Sequence, residues 1–190
     1  SQTIAPYLNP LPQSVVIDAC AGAGGKSLHL ASLMKNQGQI ISMDVHSYKL
    51  KELQKRALRA GVNIIETTLI NDDTLIKYKE KADYVLLDVP CSGLGTLKRN
   101  PGAKWQLTSA FIDEIQKVQR NIISTYSGMV KKGGQIVYAT CSILPSENEL
   151  QVQEFLKSDF GKEFSLVKQQ QVLPAEESYA GFYIALIKRN

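Results

Sequence analysis

The stretch Val15-Val16-Ile17-Asp18-Ala19-Cys20-Ala21-Gly22-Ala23-Gly24-Gly25-Lys26-Ser27 decides the fold class. Its β-branched opening reads as a strand. The glycines make a tight turn. Lys26 to Lys35 reads as a helix, with Leu28, Leu30, Ala31, Leu33 and Met34 clustered at helical spacing. Glycines at such a junction let backbone approach a ligand, and the helix start aims amides at it. Gly25-Lys26-Ser27 matches the end of the phosphate loop G-x-x-x-x-G-K-[ST], but Cys20 stands where the first glycine is needed. Ser27 likewise stands where a dinucleotide loop places its third glycine.

The alternation continues outward. Ile40 to Met43 reads as a second strand ending at Asp44, and Ser47 to Ala60 as a charged helix closed by Gly61. Asn63 to Thr68 and Asp83 to Leu87 are further strands, and Val89 to Lys104 is a Gly-, Pro- and base-rich loop. Thr108 is expected to cap a helix reaching about Val130, with Lys131 and Lys132 at its negative end and Gly133-Gly134 stopping it. Gln135 to Ala139 is a fifth strand. Ser146-Glu147-Asn148-Glu149 resembles a capping box opening a helix to about Lys157. Phe164 to Val167 and Phe182 to Lys188 read as terminal strands, and Lys162 to Ala175 is polar enough to be loop in part. Strands alternating with helices predict a parallel sheet with right-handed crossovers.

A chain of 190 residues suits one domain, here residues 1–190, and 44 % apolar residues supply its core. No run approaches the roughly 18 apolar residues that span a bilayer, so no membrane partner is expected. No signal peptide is expected either. Three cysteines cannot all pair within the chain, and their settings point to a reducing cytoplasm. With two histidines, His29 and His46, and no C-x-x-C pair, no metal site is expected. The net charge of +4 permits a nucleic-acid partner without singling one out, and the sequence sets no oligomeric state.

Three segments end strands at the carboxyl edge, where open α/β sheets bind ligands. They bring a glycine loop (Cys20 to Lys26), a carboxylate (Asp88) and two loop thiols (Cys91 and Cys141) to one place. Asp44, ending the second strand, either accepts hydrogen bonds from both hydroxyls of a ribose or caps a helix. Asp72 and its neighbour Asp73 compete for a similar contact beyond the third strand, or cap the next short helix. Cys20, flanked by alanines, suits inert packing, whereas Cys91 and Cys141 follow Pro and Thr in loops where a thiol can act as a nucleophile.

Asp18 to Lys26, Asp88-Val89-Pro90-Cys91-Ser92-Gly93, Arg99-Asn100-Pro101-Gly102-Ala103-Lys104-Trp105, Ala139-Thr140-Cys141-Ser142-Ile143-Leu144-Pro145-Ser146-Glu147-Asn148 and the closing Gly181-Phe182-Tyr183-Ile184-Ala185 together resemble the Sun (Fmu) family of S-adenosylmethionine-dependent RNA cytosine-5 methyltransferases. The resemblance covers nearly the whole chain. Ala23 stands where the family usually has Pro, and Ala180 where Asp often precedes the closing strand. The family's N-terminal RNA-binding region is expected to be absent from this chain.

The resemblance implies a Rossmann-like class I methyltransferase fold, an α/β structure whose mostly parallel sheet has an antiparallel C-terminal strand and helices on both faces. It implies methylation of carbon 5 of a cytosine in RNA, with ribosomal RNA expected and transfer RNA an alternative. Cys141 would be the nucleophile, Cys91 would assist release, and Asp88, if protonated, would bond ring nitrogen 3. Lys26 would orient Asp88 or the cofactor. S-adenosylmethionine would be held by Cys20, Ala21, Gly22, Ala23, Gly24, Gly25 and Lys26 with Asp44, Asp72 and Asp88. Lys98, Arg99 and Lys104 would contact RNA phosphates, with Trp105 either stacking on bases or anchoring the core. Two rivals stand beside this reading. A DNA cytosine-5 methyltransferase would use Cys91 as its nucleophile, and a catalytically silent RNA-binding scaffold would keep only the fold.

Overall fold

The computed structural model describes residues 2–99, 101–105, 107–174 and 180–190. Asn100 of the basic loop and Ala175 at the end of the polar stretch lie outside them. Seven strands form one sheet: β1 (Val15–Asp18), β2 (Gln39–Asp44), β3 (Ile65–Leu69), β4 (Ala82–Asp88), β5 (Val130–Thr140), β6 (Phe164–Val172) and β7 (Phe182–Arg189). Their order is β3-β2-β1-β4-β5-β7-β6. β1 to β5 pair in parallel, and β7 is antiparallel to both its neighbours. The mostly parallel sheet with an antiparallel C-terminal strand is therefore present, and the strand order reverses between β1 and β4.

Near-continuous apolar strands bury both faces of this sheet, as parallel strands must. Ile17, Ile41, Leu87 and Tyr138 point to one side, where Ile123, Val152 and Phe155 meet them. These three come from α5 (Ser109–Tyr126) and α6 (Glu149–Lys157). Val16, Ile40, Leu86 and Val137 point to the other side, where Leu30, Ala31 and Met34 pack beside Ile4, Ala5 and Leu8. Those residues belong to or flank α2 (Gly25–Leu33) and α1 (Ile4–Leu8), the latter too short to show in the sequence pattern. α3 (Ser47–Arg59) adds Leu53 and Ala57 to a smaller cluster with Ala21.

Several expectations are corrected. The long helix stops at Tyr126, followed by a 3₁₀ turn over Ser127–Met129, and β5 starts at Val130. Lys131 and Lys132 thus begin a strand rather than end a helix. Val130 pairs with Ala82, the next match is Gln135 with Tyr84, and the residues between bulge. Gly133, at φ +79°, and Gly134, where a Cβ would stand 2.8 Å from the Asp83 carbonyl, build that bulge instead of stopping a helix. Lys131 pairs with Asp83 at 3.0 Å.

The capping box at Ser146 is not formed. Pro145–Glu147 is a 3₁₀ turn, Asn148 precedes α6 without a capping bond, and the Glu147 side chain turns inward. Asn71, through a capping box with Thr74, caps α4 (Asp72–Tyr78), so neither Asp72 nor Asp73 is the cap. β6 runs on through polar Lys168 to Gln171, because an edge strand with exposed faces needs no apolar alternation.

Gly24, at the start of α2, has φ +84°, and a Cβ there would lie 2.4 Å from Leu53 Cγ. Its task is helix packing as well as turning. Gly24→Ala should lose roughly 2–4 kcal/mol, from overpacking and the left-handed backbone together. Urea unfolding would measure it, and an unchanged midpoint would show that α3 yields freely.

Candidate active site

The carboxyl ends of β1, β4 and β5 open into a cavity of about 710 Å³. It sits at the strand-order reversal, where the connections diverge and leave a crevice. Cys20, Gly22, Lys26, Asp44, Asp88, Cys91, Arg99 and Cys141 all line it. Residues far apart in sequence therefore share one wall.

At one end, Gly22 takes φ +55° with nothing within 4 Å of where a Cβ would stand. Its backbone is open to the cavity. The Gly22 amide donates to Asp44 Oδ2 at 3.0 Å, and the His46 amide donates to Asp44 Oδ1 at 2.8 Å. The residue flanking α3 is His46, so Asp44 is not that helix's cap. Of the other loop residues, Ala21 is buried, the Ala23 carbonyl accepts from Arg56 at 2.7 Å, and Gly25 opens α2. Ala21, Ala23, Gly24 and Gly25 do not line the cavity. Asp72 does not either; it is exposed at the start of α4.

Beneath this loop lies a buried polar chain. Ser42 Oγ donates to Ser27 Oγ at 2.9 Å, and Ser27 Oγ donates to Asp18 Oδ2 at 2.7 Å. It ties the start of α2 to β1 and β2. Burial pushes the Asp18 carboxyl up to about 6, against the Ser27 hydroxyl, which favours the charged form. Cys20 is pushed well up by burial and by the carboxylates of Asp18, Asp88 and Asp44, so its thiol stays neutral.

At the other end, Lys26 Nζ donates to Asp88 Oδ2. The Cys91 and Cys141 sulfurs are 3.0 Å apart, and the Cys141 amide donates to Cys91 Sγ at 3.2 Å. At that spacing the sulfurs share a proton. The Cys91 S–H holds the Cys141 thiol below its ordinary value, and Lys26 helps. The Cys91 thiol goes well up, through its bond to the Cys141 sulfur and through burial. The pair thus makes Cys141 the more acidic thiol of the two.

The two thiol loops are stitched together by backbone. Gly95 N donates to Cys141 O at 2.9 Å, and Gly181 N donates to Gly95 O at 2.8 Å. A Cβ on Gly95 would stand 2.0 Å from Gly181 O, which explains the glycine. Arg99 reaches the cavity, whereas Lys98 and Lys104 are exposed outside it. Trp105 is 81 % exposed, with Lys104 Nζ 4.7 Å over its ring, so it anchors no core.

Sequence reasoning missed the α5 wall of Val118, Asn121, Ile122 and Tyr126, whose signal was only a second apolar stripe on a long helix. It also missed what Glu147 does. Among the described residues no group of three or more His, Cys, Asp or Glu could hold a metal ion, and no helix is long and apolar enough to cross a membrane.

The family model described as 16S rRNA methyltransferase RsmB/F matches residues 5–188. The chain is 38 % identical over 206 residues to the "Probable ribosomal RNA small subunit methyltransferase B" of Synechocystis sp., covering all of this chain and 46 % of that one. It is 33 % identical to ribosomal RNA small subunit methyltransferase B of Shewanella oneidensis, covering 97 % and 45 %. The chain thus spans about half the length of these curated relatives. Among solved structures, NSun6 from Pyrococcus horikoshii with SFG, an S-adenosylmethionine analogue, superposes with a TM-score of 0.88 at 29 % identity, covering 99 % of this chain and 51 % of that one.

Asp18 supplies a pH test. Its folded value of about 6 exceeds the unfolded value of about 3.9, so the native state binds the proton more tightly. That contribution is present in full below about pH 4 and is lost as pH rises through 6, a fall of roughly 2–3 kcal/mol. Asp18→Asn keeps an acceptor for Ser27 and does not titrate. Denaturant curves from pH 4 to 7 should show wild type losing stability relative to Asp18→Asn; parallel curves would refute the shift.

Proposed function

The chain belongs to the RsmB/F family of methyltransferases, and from that membership and the paired thiols we propose that it methylates carbon 5 of a cytosine in RNA through a covalent bond to Cys141. Ribosomal RNA is the proposed substrate class, in keeping with the relatives' names. The observation that carries the mechanism is the 3.0 Å sulfur pair, in which one thiol is held down and the other up.

The cavity fits S-adenosylmethionine. The open backbone at Gly22 is a cradle that a Cβ would fill, and Asp44 beside it offers a carboxylate matched to ribose hydroxyls. Val45 and Ile70 supply apolar surface in the same cavity. Cys20, Gly22, Lys26, Asp44 and Asp88 would hold the cofactor, and Asp72, set off from the lining, is left out of that set. When bound, the cofactor supplies an electrophilic methyl on a sulfonium.

Cys141 Sγ adds to carbon 6 of the cytosine, breaking the 5,6 double bond and making carbon 5 nucleophilic enough to take the methyl group. Asp88, whose Oδ2 accepts from Lys26 Nζ, lines the same cavity and, if protonated, would hydrogen-bond ring nitrogen 3. Cys91 then assists loss of the carbon 5 proton to solvent. The double bond reforms and the bond from carbon 6 to Cys141 Sγ breaks. The base must leave its stack to enter the cavity. Arg99 at the cavity, with Lys98, Lys104 and the exposed Trp105, would engage phosphates and bases outside it. A reversed assignment, with Cys91 attacking, draws on the Cys141 amide that donates to Cys91 Sγ. Burial of Cys91 and its bond to Cys141, which together push its thiol up, weigh against it.

S-adenosylmethionine should raise the melting temperature by several degrees at about 100 times its Kd, and Asp44→Ala should reduce that shift. An equal shift in both proteins would remove Asp44 from the site.

The thiol roles are tested by incubating variants with the cofactor and RNA from cells lacking the gene, then running denaturing gels. Cys141→Ala should form neither product nor adduct, and Cys91→Ala should accumulate an RNA–protein adduct. Adduct with Cys141→Ala alone reverses the roles. Unchanged turnover in both variants overturns covalent catalysis.

A further inference from the structure

Glu147 has no exposed surface, and its carboxylate lies between the two thiol loops. Glu147 Oε2 accepts from the Ser92 amide at 2.8 Å and from Gln119 Nε2 at 3.0 Å. Glu147 Oε1 accepts from Ser142 Oγ at 2.6 Å. Ser92 follows Cys91 and Ser142 follows Cys141. The two serine hydroxyls also meet, at 3.1 Å. Gln119 Nε2 bonds the Pro90 carbonyl at 2.9 Å as well, so the backbone of Cys91 is gripped on both sides. The Tyr138 hydroxyl donates to the Glu147 carbonyl at 2.8 Å and fixes the turn that carries it.

Burying a carboxylate costs several kcal/mol unless donors replace its water. Here the donors are neutral groups of the loops that carry the reacting sulfurs. An apolar residue would fill the space at less cost but could not tie those loops together. We infer that Glu147 is a positioning residue that sets the distance between the Cys91 and Cys141 sulfurs by bonding the residue after each. The inference rests on the reading of Cys141 as nucleophile. It adds that attack and release stay coupled because one buried carboxylate spans both loops.

Glu147→Gln provides a conservative comparison. Its amide oxygen can accept from the Ser92 amide and Gln119, and its NH₂ can donate to Ser142 Oγ, whose own proton then turns to Ser92 Oγ. Glu147→Ala leaves those groups without a partner. The groups facing Cys141 (Cys91, Asp88, Lys26 and, across the cavity, Arg99) remain in both variants, so a changed thiol profile would report spacing.

The test measures the pH midpoint of Cys141 alkylation by iodoacetamide, assigned by mass spectrometry, together with methylation turnover and the cofactor-induced melting shift. Glu147→Ala should raise the alkylation midpoint by about one pH unit and lower turnover about 100-fold, as expected for a reacting group displaced by about 1 Å. Its melting shift should be unchanged. Glu147→Gln should stay within about threefold of wild-type turnover. If Glu147→Ala does not fold, Ser142→Ala, which removes one donor, should lower turnover about tenfold.

An unchanged midpoint and turnover in folded Glu147→Ala, or in Ser142→Ala where it replaces that variant, overturns the inference. So does a Gln variant as impaired as the Ala variant, since charge rather than bonding would then be the cause. Full turnover in Cys141→Ala would instead overturn the nucleophile assignment, while the alkylation midpoints still report the spacing.

Discussion

Parallel pairing of β4 with β5 is the constraint on which the site depends. Neighbouring strands cannot stand more than about 4.8 Å apart, and their registers fix which residues leave the sheet at the same height. Asp88 is opposite Ala139, so the chain leaves both strands level. Three residues after Asp88 comes Cys91, and two after Ala139 comes Cys141. The sulfurs meet because the backbone ladder delivers them. The Val89 amide, bonded to the Ala139 carbonyl at 3.0 Å, carries that ladder one step past β4.

Polar groups beneath the cavity supply what the ladder does not. A sheet edge alone would leave the loops free to splay. The serine chain from Ser42 to Asp18 holds the glycine loop from below, and the Glu147 carboxylate holds the thiol loops from the side. Each buries a carboxyl group: hydroxyls and amides bond both oxygens of Glu147, whereas Asp18 takes the Ser27 hydroxyl on Oδ2 alone and its Oδ1 has no partner among the described residues. In a close-packed interior such bonds convert small local distances into fixed ones.

Much of this was legible in the sequence because the signals were local. Val15 to Ser27 shows strand, turn and helix in order, and Asp44, Asp88, Cys91 and Cys141 follow runs whose apolar character marks them as strands. Failures arose where a local pattern had a non-local use. Gly133-Gly134 has the composition of a helix stop, but the pull of Ala82 and Tyr84 on β5 turns it into a bulge. Ser146 to Glu149 has the spacing of a capping box, yet Glu147 bonds serines on two other segments and leaves the cap unmade. α1 is too short for a periodic pattern and forms because Ile4, Ala5 and Leu8 find a groove beside α2. Trp105 has the bulk of an anchor, but nothing in its own sequence neighbourhood tells whether a core lies within reach.

The position of β7 has a consequence for biosynthesis. It fills the slot between β5 and β6, so β6 emerges from the ribosome with no strand to pair with, and β5 emerges with one edge open. The Gly181 amide that closes over Gly95 arrives with the same segment. Until residues 181–189 have joined the sheet, the glycine loop and both loop cysteines sit on an incomplete sheet whose β5 lacks its outer neighbour and whose β6 lacks any partner. Such edges invite pairing with other chains. Closing the thiol site and covering the apolar edge of β5 are therefore one event, the addition of a single strand.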